Sequence, residues 1–456
     1  MDRRQFLKYT TLATSGFVVA ACGKDDKAKI DAPQVKADID LGTLEKKNLS
    51  IGYVALTDAI PLIVAKEKGI FERYGLSVSL SRQNSWEDIG KGLKEGRFDA
   101  AQALYPMPLL AQLKENSPMI SLMVLNLNGG AITLGERAWK DDLRPSLEYV
   151  NFLDFTTGFR KYIRNVEKKR IFAVESKHSM DSYNYRYWLG AMGINPKLEV
   201  ELTEIAPSQM LFKLQAGLID GFSVAEPWNQ ETAIVKKGFV AYVNRDVWQG
   251  YPNKILATMQ GWVDKNPKTA RALVAAVVEA CQLCDRLNDR PTIAQTIATK
   301  EYFGKQDSFK SIPDPYNKEK QVNSIDRSLF GKYGYGGFDN QQRLKTIADF
   351  NIFSSQATSY LKNGVRVNYP WQSHGVWLLT QMIRWDSIKE RRYPKDADKI
   401  IDKAYPLTVY QDVAKELEIA LPKERMKIEP DTVFIDKRKF DPSNPVGYLN
   451  SFEVRI

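Results

Sequence analysis

Asp58, Gln102, Asp181 and Glu226 offer acceptor oxygens, and Trp86 and Tyr105 offer aromatic faces. Each sits in a short polar stretch that follows an apolar run. The stretches are Thr57-Asp58, Asn84-Ser85-Trp86, Gln102 to Tyr105, Glu175 to Asp181 and Ala225-Glu226-Pro227-Trp228, with Asn128-Gly129-Gly130 as a sixth. Such side chains hold a guest by charge, hydrogen bonds and stacking. Reaction chemistry asks for more. Gly-x-Ser-x-Gly, His-Glu-x-x-His and phosphate-loop patterns are absent. The two histidines, His178 and His374, neighbour no nucleophile motif, so neither an enzyme nor a histidine metal centre is expected.

The elements that must position these loops alternate. Leu49–Leu56 has the pattern of a strand, and helix-spaced apolar residues run from Ala59 to Tyr74. Strand, helix and strand follow at 76–80, 89–94 and 98–104, then a helix at 107–113 and a strand at 119–127. The order restarts with strands at 170–174, 198–203 and 221–224 and helices at 182–192 and 210–216. This βαβαβ order predicts an α/β fold with parallel strands, helices on both faces and two similar lobes. In open parallel sheets, ligands sit beyond the carboxyl ends of the strands, where the six loops lie. The chain beyond Trp262 reads as a helical buttress, aromatic-rich from Tyr333 to Trp385.

The 456 residues carry 65 Lys and Arg against 55 Asp and Glu, with both signs interspersed. That pattern describes a solvated surface rather than a nucleic-acid face. No stretch approaches the ~20 apolar residues needed to span a bilayer. Residues 1–21 combine Arg3-Arg4 with an apolar run from Tyr9 to Ala21, which describes an export signal. Arg3-Arg4-Gln5-Phe6-Leu7-Lys8 resembles a twin-arginine motif, and Val19-Ala20-Ala21-Cys22 resembles a lipobox with Cys22 as the lipidated residue. Residues 22–48 are polar and suit a lipid-anchored tether. A bacterial periplasmic location, or the outer face of the inner membrane, follows. Cys281 and Cys284 lie within an apolar-periodic stretch, as two buried small residues or one structural disulfide.

Several segments resemble the nitrate- and bicarbonate-binding proteins of ABC importers. They are Ala55 to Gly69, Tyr105-Pro106-Met107-Pro108, Asn126-Leu127-Asn128-Gly129, Arg186-Tyr187-Trp188-Leu189, Asp220 to Trp228 and Ser373-His374-Gly375-Val376-Trp377. The order holds from about residue 49 to 390. The resemblance implies a type II periplasmic-binding fold, a clamp whose two α/β lobes close around a ligand cleft. One lobe would comprise 49–128 plus 252–456, including the buttress, and the other 129–251. The implied partners are a small-molecule ligand, a permease and ATPase subunits, and the membrane through a lipid anchor. No nucleic acid is implied, and the receptor would be a monomer.

Against that family's nitrate site the chain keeps a Trp at Trp86 and a Lys at Lys254. The family Gln falls at Gly130, its His at Asp181, a second His at Gln102 and a Thr at Tyr105. A carboxylate cannot donate to an anion and repels it. Guanidinium has nitrate's flat trigonal shape and the opposite charge, and it needs in-plane acceptors and an aromatic face. The expected ligand is therefore a small planar cation of guanidinium type, bound by Trp86, Asp181, Glu226, Gln102, Tyr105 and Asp58. The alternative is nitrate, nitrite or bicarbonate; a pyrimidine or thiamine-precursor receptor is more distant. Lys254 argues for an anion if it points inward. Asp58 and Asp181 also suit N-caps at Ala59 and Ser182, Glu226 suits a helix N-terminus, and Trp86 and His374 suit structural roles. No cofactor is expected, except calcium at Glu226 and nearby acids if the ligand is bicarbonate.

Overall fold

The computed structural model describes residues 41–115, 117–303, 312–314, 317–354 and 365–455. The export signal, Cys22 and the tether as far as residue 40 lie outside them. Ten strands build the two main sheets: β1 (Asn48–Val54), β2 (Ser77–Gln83), β3 (Ala100–Leu104), β4 (Met119–Asn128), β5 (Gly130–Leu134), β6 (Arg170–Val174), β7 (Val200–Glu204), β8 (Gly221–Ala225), β9 (Phe239–Val243) and β10 (Pro252–Met259). One sheet runs β4-β10-β3-β1-β2, with Asn351–Ile352 added along the free edge of β4; the other runs β7-β6-β8-β5-β9. Every residue of β3, β4, β5, β8 and β9 is buried. Strands covered on both faces show no alternation of polar and apolar residues, which is why they read as continuous apolar runs.

Parallel pairing holds where the sequence predicts it, between β1 and both β2 and β3, and between β6 and both β7 and β8. It fails at β4. That strand reaches β3 only through β10, which lies antiparallel to both. In the second sheet β5 is antiparallel to β8 and β9. The chain thus passes between the sheets twice, directly from β4 into β5 and back from β9 into β10. The helix expected over 59–74 is broken. A 3-10 turn covers Thr57–Ala59, helices cover Ile60–Glu67 and Ile70–Arg73, and Gly69 between them takes φ +62°.

The helix Pro267–Cys284 packs on Ile60–Glu67. The helix Gln372–Arg384 is buried along its whole length and sets Trp377 against Trp248 at 4.2 Å between ring centroids. Cys281 and Cys284 are free and buried, and burial pushes both thiols well above their ordinary range, away from thiolate chemistry. Among the described residues no helix is long and apolar enough to cross a membrane.

Candidate functional site

Lys254 enters the region between the sheets from β10. Its Nζ lies 3.0 Å from Glu175 Oε1, 3.3 Å from Asp58 Oδ2 and 3.8 Å from Asp181 Oδ2, and donates to Asn253 Oδ1 at 2.8 Å. All four charged side chains are completely buried. Each carboxylate turns one oxygen toward the ammonium, and neutral donors hold the other. Asn126 Nδ2 donates to Asp58 Oδ1 at 2.7 Å, and Trp86 Nε1 to Glu175 Oε2 at 3.2 Å. Asn244 Nδ2 and the Tyr251 hydroxyl donate to Asp181 Oδ1 at 2.6 and 3.0 Å. The oxygens Asp58 Oδ2 and Asp181 Oδ2 accept no other hydrogen bond. The Trp86 ring centroid is 5.3 Å from Nζ, within cation–π range.

Local structure fixes these positions. Ser85 caps the helix Trp86–Lys94 by accepting from Asp88 N, and that cap sets Trp86 at the first helical position. Ser179 caps the helix Met180–Ala191 through Ser182 N, so Asp181 is free of capping duty. Asp58 likewise caps nothing; Ala59 stands at the N-cap of the next helix. Gly130 is required by close approach. A Cβ there would lie 2.2 Å from Asp181 Oδ1 and 2.9 Å from both Asn244 Nδ2 and the Tyr251 hydroxyl. A groove of about 450 Å³ is lined in part by Met107, His178 and Pro207 and by two members of the cluster, Trp86 and Glu175.

The cluster is short of positive charge. Burial pushes the Asp58 carboxyl up to about 7; Lys254 pulls it down, and the Asp181 and Glu175 carboxylates push it further up. Burial raises Glu175 as well, with Lys254 opposing. Burial lowers the Lys254 ammonium, yet Glu175, Asp58 and Asp181 together hold it above the usual lysine range.

The structure thus brings together Asp58, Trp86, Gly130, Asp181 and Lys254 of the residues singled out from sequence, and sets three others elsewhere. The Glu226 carboxylate accepts from the Tyr333 hydroxyl, from Gln230 N at 3.1 Å and from Ser328 Oγ at 3.3 Å. It holds the start of the helix Trp228–Ile234 and shares no partner with Lys254, so it lies outside the cluster. Tyr105 stacks on Tyr405 at 4.9 Å and donates to Trp371 O, because its loop turns under the buttress; it offers no face to the cluster. Gln102 Oε1 accepts from Val54 N at 2.9 Å, which ties it to β1, while its buried Nε2 finds no partner. His178 contacts Tyr183 and Lys114, and His374 pairs with Glu429 at 3.2 Å. Sequence reasoning did not single out Glu175, Asn126, Asn244 or Tyr251. Glu175 directly follows β6, and that place at a strand's carboxyl end was its one available signal. Among the described residues no group of three or more His, Cys, Asp or Glu is arranged to hold a metal ion.

Two outcomes follow. Asp58, Glu226 and Glu231 are all held near 7 by burial, above the ~4 of an unfolded carboxylate. These three carboxyls keep protons in the folded chain between about pH 4 and 7 and make stability fall as pH rises, while His178 and His374, lowered to about 4 by burial, act the other way up to about pH 6.5. The Asp58 share is read from urea midpoints against pH, where the fall in stability toward pH 7 is expected to be smaller in Asp58→Asn than in the wild type. Gly130→Ala is expected to cost about 1–3 kcal/mol by denaturant unfolding, since Asp181 must give way. Adding Asp181→Ala should recover part of that cost, whereas strict additivity would deny the contact.

Residues 42–298 match the NMT1-like family. The nitrate import ATP-binding protein NrtC of Synechocystis PCC 6803 is 33% identical over 90% of this chain, which spans only 56% of that relative's length. The nitrate/nitrite binding protein NrtA of Synechocystis is 30% identical, covering 90% of this chain and 86% of its own. The crystal structure of the periplasmic nitrate-binding protein NrtA from Synechocystis PCC 6803 superposes with a TM-score of 0.76 at 29% identity, over 91% of this chain and all of that one. The two α/β sheets are thus those of the periplasmic-binding fold, and the chain belongs to the NMT1-like family, with the nitrate/nitrite binding protein NrtA among its relatives.

Proposed function

We propose that this chain is the extracytoplasmic solute-binding component of an ABC importer and that it captures a small planar trigonal ion between two lobes. The lobes are 49–128 with 252–456 and 129–251, hinged where β4 passes into β5 and β9 returns to β10. A twin-arginine-type signal and lipidation at Cys22 belong to the same proposal. They would tether a monomeric receptor, with no chemistry of its own, beside its permease and ATPase subunits.

The sign of the guest's charge separates two readings. The relatives' names favour nitrate, nitrite or bicarbonate, and nothing in them favours guanidinium. The geometry supports a guanidinium-type cation, and one observation carries it: three carboxylates surround a single ammonium with every side chain buried. Uncompensated buried charge is costly, and a cationic guest reduces it where an anion adds to it. Asp58 Oδ2 and Asp181 Oδ2 would accept from guanidinium N–H groups, and Trp86 would supply a face. Lys254 is the observation behind the anion reading, since an ammonium is the donor an anion needs.

Calorimetry of the mature chain with guanidinium, methylguanidine, urea, nitrate, nitrite and bicarbonate tests both. Guanidinium is expected to bind, more tightly as pH rises through about 7, where Asp58 ionises. Asp181→Asn should weaken it by about 2–4 kcal/mol, as loss of a charged partner does. Lys254→Met should preserve or strengthen it, because the competing ammonium is gone. Nitrate binding that strengthens at low pH and vanishes in Lys254→Met, without guanidinium binding, reverses the sign.

A further inference from the structure

A second groove, open and of about 380 Å³, shares no lining residue with the Lys254 cluster; Lys169, Arg186, Lys197, Glu201, Trp385 and Asp386 are among its walls. Arg186 is only 8% exposed, yet among the described residues it makes no ion pair. Its guanidinium donates from Nη1 to Lys177 O at 3.0 Å, and the Tyr183 ring lies 5.5 Å from its guanidinium carbon. Glu204, whose charge bears on it, is exposed and accepts from Lys177 N at 2.6 Å and Ser176 Oγ at 3.3 Å, both at Oε1. Asp386 pairs with Lys197 at 3.2 Å, and the exposed Glu201 is the other carboxylate on the groove's wall. Lys169 has only the Lys197 carbonyl, at 3.4 Å. The Trp385 indole N–H, buried, has no partner.

An arginine keeps its charge even when burial opposes it, so a guanidinium this enclosed calls for a counter-ion. We propose that this groove is a second binding site, for a small oxyanion of the carboxylate, phosphate or sulfate kind. The planar fork of Arg186 is its anchor, since guanidinium matches such oxygens two at a time. Lys169 is the second positive group. Arg186 Nη1 donates to Lys177 O, in the segment from Glu175 to Asp181 that carries two of the three carboxylates. The inference needs no decision on the ligand of the main cluster.

Thermal unfolding of the full chain is measured with sulfate, inorganic phosphate and acetate, against chloride at matched ionic strength. A saturable rise in Tm with at least one oxyanion is expected, since a ligand of the folded state stabilises it. Its half-maximal concentration should increase several-fold in Lys169→Gln, an exposed position, and the rise should disappear in Arg186→Gln. Crystals soaked in selenate should show the ion on Arg186. An oxyanion response equal in wild type and Lys169→Gln, the lack of any saturable response, or selenate bound only elsewhere overturns the proposal. If Arg186→Gln does not fold, Lys169→Gln and the soak decide.

Discussion

The structure between the two sheets is organised by one ammonium held among three carboxylates, all withdrawn from water. In bulk water such charges attract weakly; in a low-dielectric interior both their attraction and their desolvation grow large. Removing charges from water is tolerable only where every polar group finds a partner. The neutral donors Asn126, Asn244, Tyr251 and Trp86 meet this need by binding the carboxylate oxygens that face away from Lys254. The cluster is nonetheless unbalanced, and the upward displacement of Asp58 and Glu175 expresses that imbalance. A site of this kind is built to respond to an arriving charge.

The two chain passages between the sheets do the assembly. The first brings Asn126 on β4 and Gly130 on β5 to the cluster. The second brings Asn244, Tyr251, Asn253 and Lys254 on the return into β10. The partners of Asp58 and Asp181 therefore sit on or beside the segments that join the sheets. Any change in the angle between the sheets moves the neutral donors with respect to the carboxylates. Lys254 itself bridges Asp58, which belongs to the first sheet's loops, and Glu175 and Asp181, which belong to the second's. On the proposed clamp reading, ligand charge and sheet closure would be linked through these contacts.

Much of this was legible in the chain. The strand runs at 170–174 and 221–224 appear nearly residue for residue, because short apolar runs bounded by polar loops leave little choice. Asp58, Trp86 and Asp181 were legible because they end strands or begin helices. The insertion of β10 between β3 and β4 was not, since it joins residues more than a hundred positions apart and no local pattern records it. Tyr105 and Glu226 lie away from the Lys254 cluster for a related reason. Their loops lie at the right end of the sheet, but the buttress supplies Tyr405, Trp371, Tyr333 and Ser328, which claim them first. Glu175 was overlooked because a carboxylate beside a strand end has the same local appearance whether it faces water or a lysine.

Asp181 explains Gly130. A carboxylate at 181 is clamped by Asn244 and Tyr251 into the space where a side chain at 130 would begin, so this conformation of Asp181 requires glycine at 130. The constraint runs one way: the clamped carboxylate excludes a side chain at 130, while a glycine at 130 tolerates other residues at 181. Asp181 thus has one oxygen fixed by Asn244 and Tyr251 against the Gly130 backbone and the other turned to Lys254 at 3.8 Å, so its position is set before any guest arrives.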